Sequence, residues 1–130
     1  MQRTSNCDTG PAVTNSADAD RLPLIDEHLQ AQWREDLNTD DIRQILAHAR
    51  LEAAKSLAMI KDAAARHDLA ALKRSAHKLK GMVGNLGAVR LVALLRGIEL
   101  GAAGGEGSPI AVARLEPVVC DTLLAFEGNV

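Results

Sequence analysis

Aromatic residues are almost missing from this chain of 130 residues, which contains one Phe, one Trp and no Tyr. A core without large rings must be built from Leu, Ala, Val and Ile, and such a core suits packed helices better than a β-sandwich. A platform on which nucleic-acid bases stack also requires aromatic rings. The scarcity therefore favours an all-α protein and argues against base stacking.

Other features are missing as well. No run of 18 or more apolar residues occurs, and the first ten residues contain no apolar segment, so we expect neither a membrane span nor a secretory signal. Two cysteines, Cys7 and Cys120, cannot form a disulfide framework, which favours a reduced cytoplasmic setting. Cys120 lies among apolar residues and is predicted to be a buried thiol. The net charge of −2 argues against general binding to nucleic-acid phosphates.

What is present is apolar periodicity typical of helices. We predict a flexible tail or linker over 1–20 and one helical domain over 21–130. The expected architecture is an antiparallel up-down four-helix bundle with a short additional N-terminal helix, because a break as short as that at Asp68 makes the next helix fold back. We predict helices over about 23–36, 39–66, 69–86 and from 89 to 98 or beyond. Asn38 or Thr39 is expected to cap the second of these, Asp68 the third, and a break is expected near Gly87. A loop over 101–107 follows, and then a last helix from Pro109, capped by Ser108, to about Phe126 with a kink or break near Pro117.

The third predicted helix has a narrow apolar seam formed by Leu69, Leu72, Ala76, Leu79, Val83 and Leu86. At 100° per residue, His77 points about 135° away from the mean direction of that seam, so it is expected at the surface. The residues that share its face at helical spacing are Lys73, Arg74, Lys80, Gly81 and Gly84. An imidazole is thus predicted to stand among cations and residues without side chains.

This combination suits phosphoryl chemistry. Neighbouring cations disfavour a positive ring, a neutral imidazole is a nucleophile, and the same cations stabilise an anion placed on it. Each interior glycine costs a helix about 1 kcal/mol relative to Ala, but it leaves bare backbone on which a macromolecule can dock. Residues 66–96 contain seven basic side chains and one acidic one. This excess indicates an anionic ligand or acidic partner, or else simple attraction to the more acidic second helix.

The segment AHKLKGMVGNLGAVRL, residues 76–91, contains the pattern His77-x-Leu79-Lys80-Gly81, followed by Leu86-Gly87-Ala88 and Leu91. It resembles the signature of histidine phosphotransfer (HPt) domains, and with the helix pattern the resemblance extends over about 24–126, including Glu99. The resemblance implies a four-helix bundle that relays phosphoryl groups between aspartates of receiver domains in multistep two-component signalling.

The resemblance implies that His77 is the phosphoacceptor and that Lys80 stabilises the phosphoryl group. It also implies that Gly81, which has no side chain, leaves room for that group and for the receiver. The helical wheel adds Lys73, Arg74 and Gly84 as binding residues. Met82 stands where family members often have small polar residues, so we expect it to influence which receiver docks. The apolar residues of the first helix, Leu24, Ile25 and Leu29, are expected to contact the receiver.

The implied partners are response-regulator receiver domains and a hybrid sensor histidine kinase, with no nucleic acid and no membrane. The implied protein is a cytoplasmic monomer that carries phosphoryl without a kinase or ATP-binding activity of its own. His77 is followed by Lys-Leu-Lys-Gly, and not by the Glu and downstream Pro usual in a dimerising kinase helix. No cofactor or metal is expected in the chain, because Mg²⁺ belongs in the receiver.

Two alternatives stay open at this point. One is a helical scaffold module that docks a partner on its Gly81 and Gly84 face without phosphoryl chemistry. The other is a basic nucleic-acid binder, whose affinity would fall steeply with salt.

Overall fold

The computed structural model describes residues 21–105 and 109–128, and these residues form α-helices and no strand. The all-α prediction is therefore confirmed over this part of the chain. The expected tail at 1–20, with Cys7, and the expected cap Ser108 lie outside the described residues. The helices are α1 (Glu27–Asp36), α2 (Thr39–Ala65), α3 (Leu69–Leu86), α4 (Val89–Ala103), α5 (Pro109–Ala113) and α6 (Leu115–Gly128).

Polar caps begin three of these helices. The side chain of Asn38 accepts a hydrogen bond from the amide of Asp41 at the start of α2, and Asp68 accepts one from Ala71 at the start of α3. Both caps agree with the sequence prediction. The first helix begins later than predicted, at Glu27, because Asp26 is the residue that caps it by accepting from the amides of His28 and Leu29.

Two boundaries near the C-terminus differ from the predictions. Helix α4 continues to Ala103, so Gly101 is helical, and of the described residues in the predicted 101–107 loop only Gly104 and Gly105 lie outside the helix. The predicted kink or break near Pro117 is found at Arg114, where the chain turns between α5 and α6. Pro117 lies in the first turn of α6, where a backbone N–H has no intrahelical partner in any case, so a proline is tolerated there.

The core is built from aliphatic side chains and the single phenylalanine. Helix α3 packs against α2 and α4, and α6 packs against the same two helices on the other side. The seam of α3 is buried from Leu72 to Leu86, and Phe126 of α6 is almost fully enclosed. Ion pairs between Lys61 and Glu116 and between Arg50 and Glu127 connect the surfaces of α2 and α6.

The prediction that Cys120 is buried is wrong, because this thiol is exposed on α6. Its neighbours Val118 and Val119 face the core, and Cys120 lies on the opposite side of the same helical turn. None of the helices in 21–105 and 109–128 is long and apolar enough to cross a bilayer.

The segment that leads into α1 is fastened to the turn between α3 and α4. The amide of Asp26 donates to the carbonyl of Gly87 at 2.8 Å, and the side chain of Gln30 donates to the carbonyl of Leu86 at 2.9 Å. The guanidinium of Arg90 donates twice to the carbonyl of Leu22, at 2.9 and 2.7 Å. The bonds to Leu86 and Gly87 satisfy carbonyls that the end of α3 leaves without partners, and all of these bonds together hold α1 beside the C-terminal end of α3.

Candidate functional site

His77 lies near the middle of α3 on the side away from the core. Its side chain is 69% exposed, whereas Ala76 and Leu79 on either side of the position are fully buried. The exposure expected from the helical wheel is therefore observed. The ring is available to a second macromolecule, and no other part of the described chain covers it.

The sequence did not predict the group that touches this ring. Glu99 of α4 lies 22 residues further along the chain, and its Oε2 is 2.6 Å from Nδ1 of His77. The other oxygen of the same carboxylate, Oε1, accepts a hydrogen bond from Nζ of Lys80 at 2.6 Å. One carboxylate therefore joins the two side chains that the HPt resemblance selects, and the expectation of a purely cationic setting is corrected.

Glu99 is only 15% exposed, and the surrounding charges determine its ionisation. Partial burial on its own would raise the pKa of Glu99. The hydrogen bonds from Lys80 and His77, together with the positive charges of these groups, outweigh burial and lower the pKa below the usual range of a glutamate. The carboxyl group is therefore ionised at neutral pH.

This ionised carboxylate determines which ring nitrogen of His77 is free. A carboxylate can only accept hydrogen bonds, so Nδ1 must be the nitrogen that carries the proton. In the neutral ring, the lone pair then lies on Nε2, the nitrogen on the side away from Glu99. The geometry thus fixes a tautomer whose nucleophilic nitrogen is not occupied by the contact with Glu99.

The side of His77 towards the start of α3 is cationic. An open groove of about 640 Å³ is lined there by Lys73, Arg74, His77, Lys78 and Glu99 together with Ala70. The three basic side chains of this groove are exposed and form no ion pair within the described residues. They are therefore available to an anionic group or to an acidic partner surface.

The side of His77 towards the end of α3 is bare. A Cβ atom added to Gly81 would meet nothing within 4 Å, and one added to Gly84 would lie 3.7 Å from a methyl group of Val92, which is ordinary contact. Met82, which follows Gly81 in the chain, does not share the face of the two glycines: it is half-buried and packs against the core. The fold itself does not require glycine at position 81 or 84.

The structure therefore brings together Lys73, Arg74, His77, Lys80, Gly81 and Gly84 on one face of α3. The apolar residues of the N-terminal segment behave differently from the expectation. Ile25 is 6% exposed and belongs to the core, so it is not available to a receiver. Leu24 is only partly exposed, and Leu29 packs towards Gly87. Within 21–105 and 109–128, no group of three His, Cys, Asp or Glu side chains is arranged to hold a metal ion.

Comparisons with known proteins agree with this site. A family model described as the Hpt domain matches residues 44–125, which include His77, Lys80 and Glu99. The crystal structure of histidine-containing phosphotransfer protein B (HptB) from Pseudomonas aeruginosa PAO1 superposes with a TM-score of 0.74 at 25% sequence identity, covering 82% of this chain and 93% of that one. No curated protein sequence matches the chain.

Because the family model matches more than half of the chain, the chain belongs to the Hpt domain family. Its function is histidine phosphotransfer in phosphorelay signalling. Proteins of this family interact with receiver domains and kinases, and no observation on this chain favours the alternative of a scaffold without phosphoryl chemistry.

Proposed function

We propose that His77 is the phosphoacceptor and that its Nε2 carries the phosphoryl group between the aspartates of two receiver domains. One observation supports this assignment above the others. The exposed ring of His77 is held through Nδ1 by Glu99, which leaves Nε2 as the free nucleophile. The remaining histidines of the described chain, His28, His48 and His67, have no comparable carboxylate contact.

The transfer requires little chemistry from the carrier. The lone pair of Nε2 attacks the phosphorus of an aspartyl phosphate, the bond from phosphorus to the carboxyl oxygen breaks, and the aspartate leaves with that electron pair. The second receiver's aspartate reverses these events by attacking the phosphorus bound to Nε2. Mg²⁺ belongs in the acidic pocket of each receiver, and positioning and charge lower the barrier.

Lys80 supplies the nearest positive charge for the transferred group. Its ammonium group contacts Glu99 beside the ring and is still partly exposed, so it can approach oxygens of a phosphoryl group on Nε2. Lys73 and Arg74 contribute charge from the groove on the other side. The oxygens of a phosphoryl group on Nε2 would thus have a cation on each side of His77 along α3.

We propose that the receiver docks on the bare side formed by Gly81 and Gly84. The open space at Gly81 supports close approach of a partner backbone, and the exposed cations of the groove favour a receiver whose surface is acidic on that side. We also propose that the exposed part of Met82, which follows Gly81 in the chain, influences which receiver fits, because its side chain is flexible.

The finer architecture is proposed on similar grounds. The short connections at 66–68 and 87–88, and the packing of α6 on α2 and α4, support an antiparallel up-down bundle of α2, α3, α4 and α6, with α1 as the additional N-terminal helix. A monomeric, cytoplasmic carrier that meets a hybrid sensor kinase and response regulators is consistent with the family.

A labelling experiment tests the phosphoacceptor. The protein is incubated with a receiver domain phosphorylated on its aspartate, and phosphate bound to the chain is measured. We expect an acid-labile, base-stable phosphate on the wild-type protein and none on His77→Gln. His48→Gln is the matched control, because it removes another exposed histidine and should be labelled normally. Normal labelling of His77→Gln would contradict the proposal.

A second measurement addresses the scaffold alternative. Binding of a receiver is measured with the wild-type protein, with Gly81→Phe and with His77→Ala. The proposal predicts that Gly81→Phe abolishes binding and transfer together, whereas His77→Ala abolishes transfer alone. Retained phosphotransfer in Gly81→Phe would show that the partner docks elsewhere.

A further inference from the structure

We propose that the outer side of α2 and α6 binds a second copy of this chain, with α2 of each copy lying against α6 of the other. This α2–α6 face is formed by Leu51, Ala54 and Ala58 of α2 and by Cys120 and Leu124 of α6. Helix α6 lies across the bundle from α3, because both helices pack against α2 and α4. The face is therefore remote from His77, and the inference goes beyond the proposed relay, which one copy performs alone.

The side chains of the α2–α6 face are apolar and open to solvent. Leu51 and Leu124 are each 65% exposed, and Ala54, Ala58 and Cys120 are exposed as well. Helical spacing places Ala54 and Ala58 on the same side of α2 as Leu51. Next to Leu51 the face opens into a groove of about 620 Å³. A continuous exposed apolar strip marks a surface that contacts another molecule.

Ion pairs between α2 and α6 close both ends of this strip. They join Arg50 to Glu127 and Lys61 to Glu116. The two helices are therefore antiparallel, and Leu124 stands level with Ala54. The strip between the ion pairs is about 17 Å long at 1.5 Å per residue.

Charges of opposite sign follow the two edges of the face. Helix α6 contains the acidic residues Glu116, Asp121 and Glu127 and no basic residue. The edge of α2 next to α6 is basic, since Arg50 and Lys61 recur there at helical spacing. The four paired side chains remain between 44% and 55% exposed, so each can contact a further charge from a partner.

A twofold axis parallel to the helices matches this charge pattern. It sets α2 of each copy against α6 of the other, so a basic edge meets an acidic edge twice. The large side chain of Leu124 in one copy then faces the small Ala54 of the other. A twofold axis across the helices would set α2 against α2 and bring Arg50 towards Lys61 of the second copy. Repulsion of like charges disfavours that arrangement.

The size of the face determines how tightly two copies associate. Two helices in contact over a strip this short bury less than the roughly 1,200 Å² at which stable protein complexes begin. We expect a dissociation constant on the order of 100 µM, so dilute protein is monomeric and concentrated protein pairs. Both copies of the pair keep His77 on the outside.

Sedimentation equilibrium of the full-length protein tests the surface, over concentrations from about 10 µM to about 1 mM. The wild-type protein should show a reversible monomer–dimer equilibrium. Leu124→Glu should weaken association at least about tenfold, because it buries a charge against Ala54 of the second copy. Ile110→Glu is the matched control, since it changes a side chain that is 76% exposed on α5, outside the face, and association should be unchanged.

A charge exchange tests the arrangement. Arg50→Glu should weaken association about three- to tenfold, because it sets acid against acid between the copies. Combining it with Glu127→Arg in the same chain restores opposite charges across the interface and should restore association. Stronger association in Arg50→Glu would overturn the arrangement, since it would mean that α2 lies on α2.

Other outcomes overturn the surface itself. A wild-type protein that stays monomeric at the highest concentration contradicts the proposal, and so does a dimer that Leu124→Glu leaves intact. If the wild-type chain is monomeric and Leu124→Glu loses binding of a receiver domain, the face belongs to the receiver and not to a second copy. Labelling of His77 is independent of these results, and Leu124→Glu should accept phosphate at the wild-type rate.

Discussion

Gly81 and Gly87 lie six positions apart at the end of α3, yet their surroundings are opposite. Gly87 ends the helix with φ +85°, and an added Cβ would lie 3.0 Å from Leu29 and 3.2 Å from Asp26. At Gly81 the backbone is helical and an added Cβ would meet nothing within 4 Å. The fold requires glycine at position 87, whereas nothing inside the described chain requires glycine at position 81.

The comparison separates two reasons for having a glycine. At Gly87, folding selects the residue, because only a residue without Cβ fits a left-handed turn that α1 covers. At Gly81, an alanine would favour the helix, so the reason must lie outside the folded chain. The receiver that we propose to dock here would supply such a reason, and the exposed imidazole of His77 lies one helical turn earlier.

The largest expected effect is at the turn. Gly87→Ala should lower the free energy of unfolding by about 2–3 kcal/mol, because it combines an unfavourable φ with crowding against α1. Urea denaturation measures this. Gly105→Ala is the matched control, since Gly105 has φ +90° but open space around it, and it should lose only about 1 kcal/mol. If both variants lose the same free energy of unfolding, α1 must shift to make room for the added methyl group at position 87.

The next effect has the opposite sign. Gly81→Ala should raise the free energy of unfolding by up to about 1 kcal/mol, because the helix gains a better helix former without a clash. Phosphotransfer should slow in the same variant, since the added methyl group stands where the receiver approaches. Urea denaturation and a transfer assay on one preparation measure both. A variant that is both less stable and fully active would invalidate the contrast between the two glycines.

The Glu99 contact should make a smaller, pH-dependent contribution. Because the pKa of Glu99 is lowered in the folded protein, the contact stabilises the fold above the usual glutamate range, and this stabilisation disappears as the pH falls through the lowered pKa. Glu99→Gln should therefore lose up to about 1 kcal/mol of stability at neutral pH relative to wild type. The difference should shrink in acid, which urea titrations at both pH values would show. A constant difference would point to lost packing.

The smallest effect on stability is expected for Lys80. Lys80→Ala should lower the free energy of unfolding by about 0.5 kcal/mol, because an ion pair that stays in contact with solvent contributes little. Transfer should nevertheless be slower, because the phosphoryl group loses its nearest cation. Lys61→Ala is the comparison, because it removes an ion pair between α2 and α6 and should leave the transfer rate unchanged. An unchanged transfer rate in Lys80→Ala would remove Lys80 from the site.

The sequence predicted most of the fold because its signals are local. Apolar periodicity identified α2 and α3, and Asn38, Asp68 and Gly87 marked their ends, since caps and left-handed turns depend on neighbouring residues. The end of α4 was predicted wrongly, because α4 continues through Gly101. The break predicted near Pro117 occurs at Arg114, so Pro117 lies in the first turn of α6, where a missing N–H has no intrahelical partner to lose.

The same limit applies to the site. His77, Lys80 and the glycines share one helix, so a wheel places them together. Glu99 comes from the next helix, and no spacing within α3 reveals it. The one available signal was that the family resemblance extends as far as this acidic residue, in a region otherwise rich in basic side chains. Only the packing of α4 on α3 turns that signal into a contact with the imidazole.

The proposed reactive nitrogen, Nε2 of His77, and the proposed docking surface at Gly81 and Gly84 lie on the same face of α3. If a donor receiver binds there, it covers the surface that the acceptor receiver needs, so the two cannot bind at the same time. The chain would then have one binding site for both receivers. When both are abundant they compete for that site, and an unphosphorylated receiver that dissociates slowly lowers the rate of phosphotransfer in both directions.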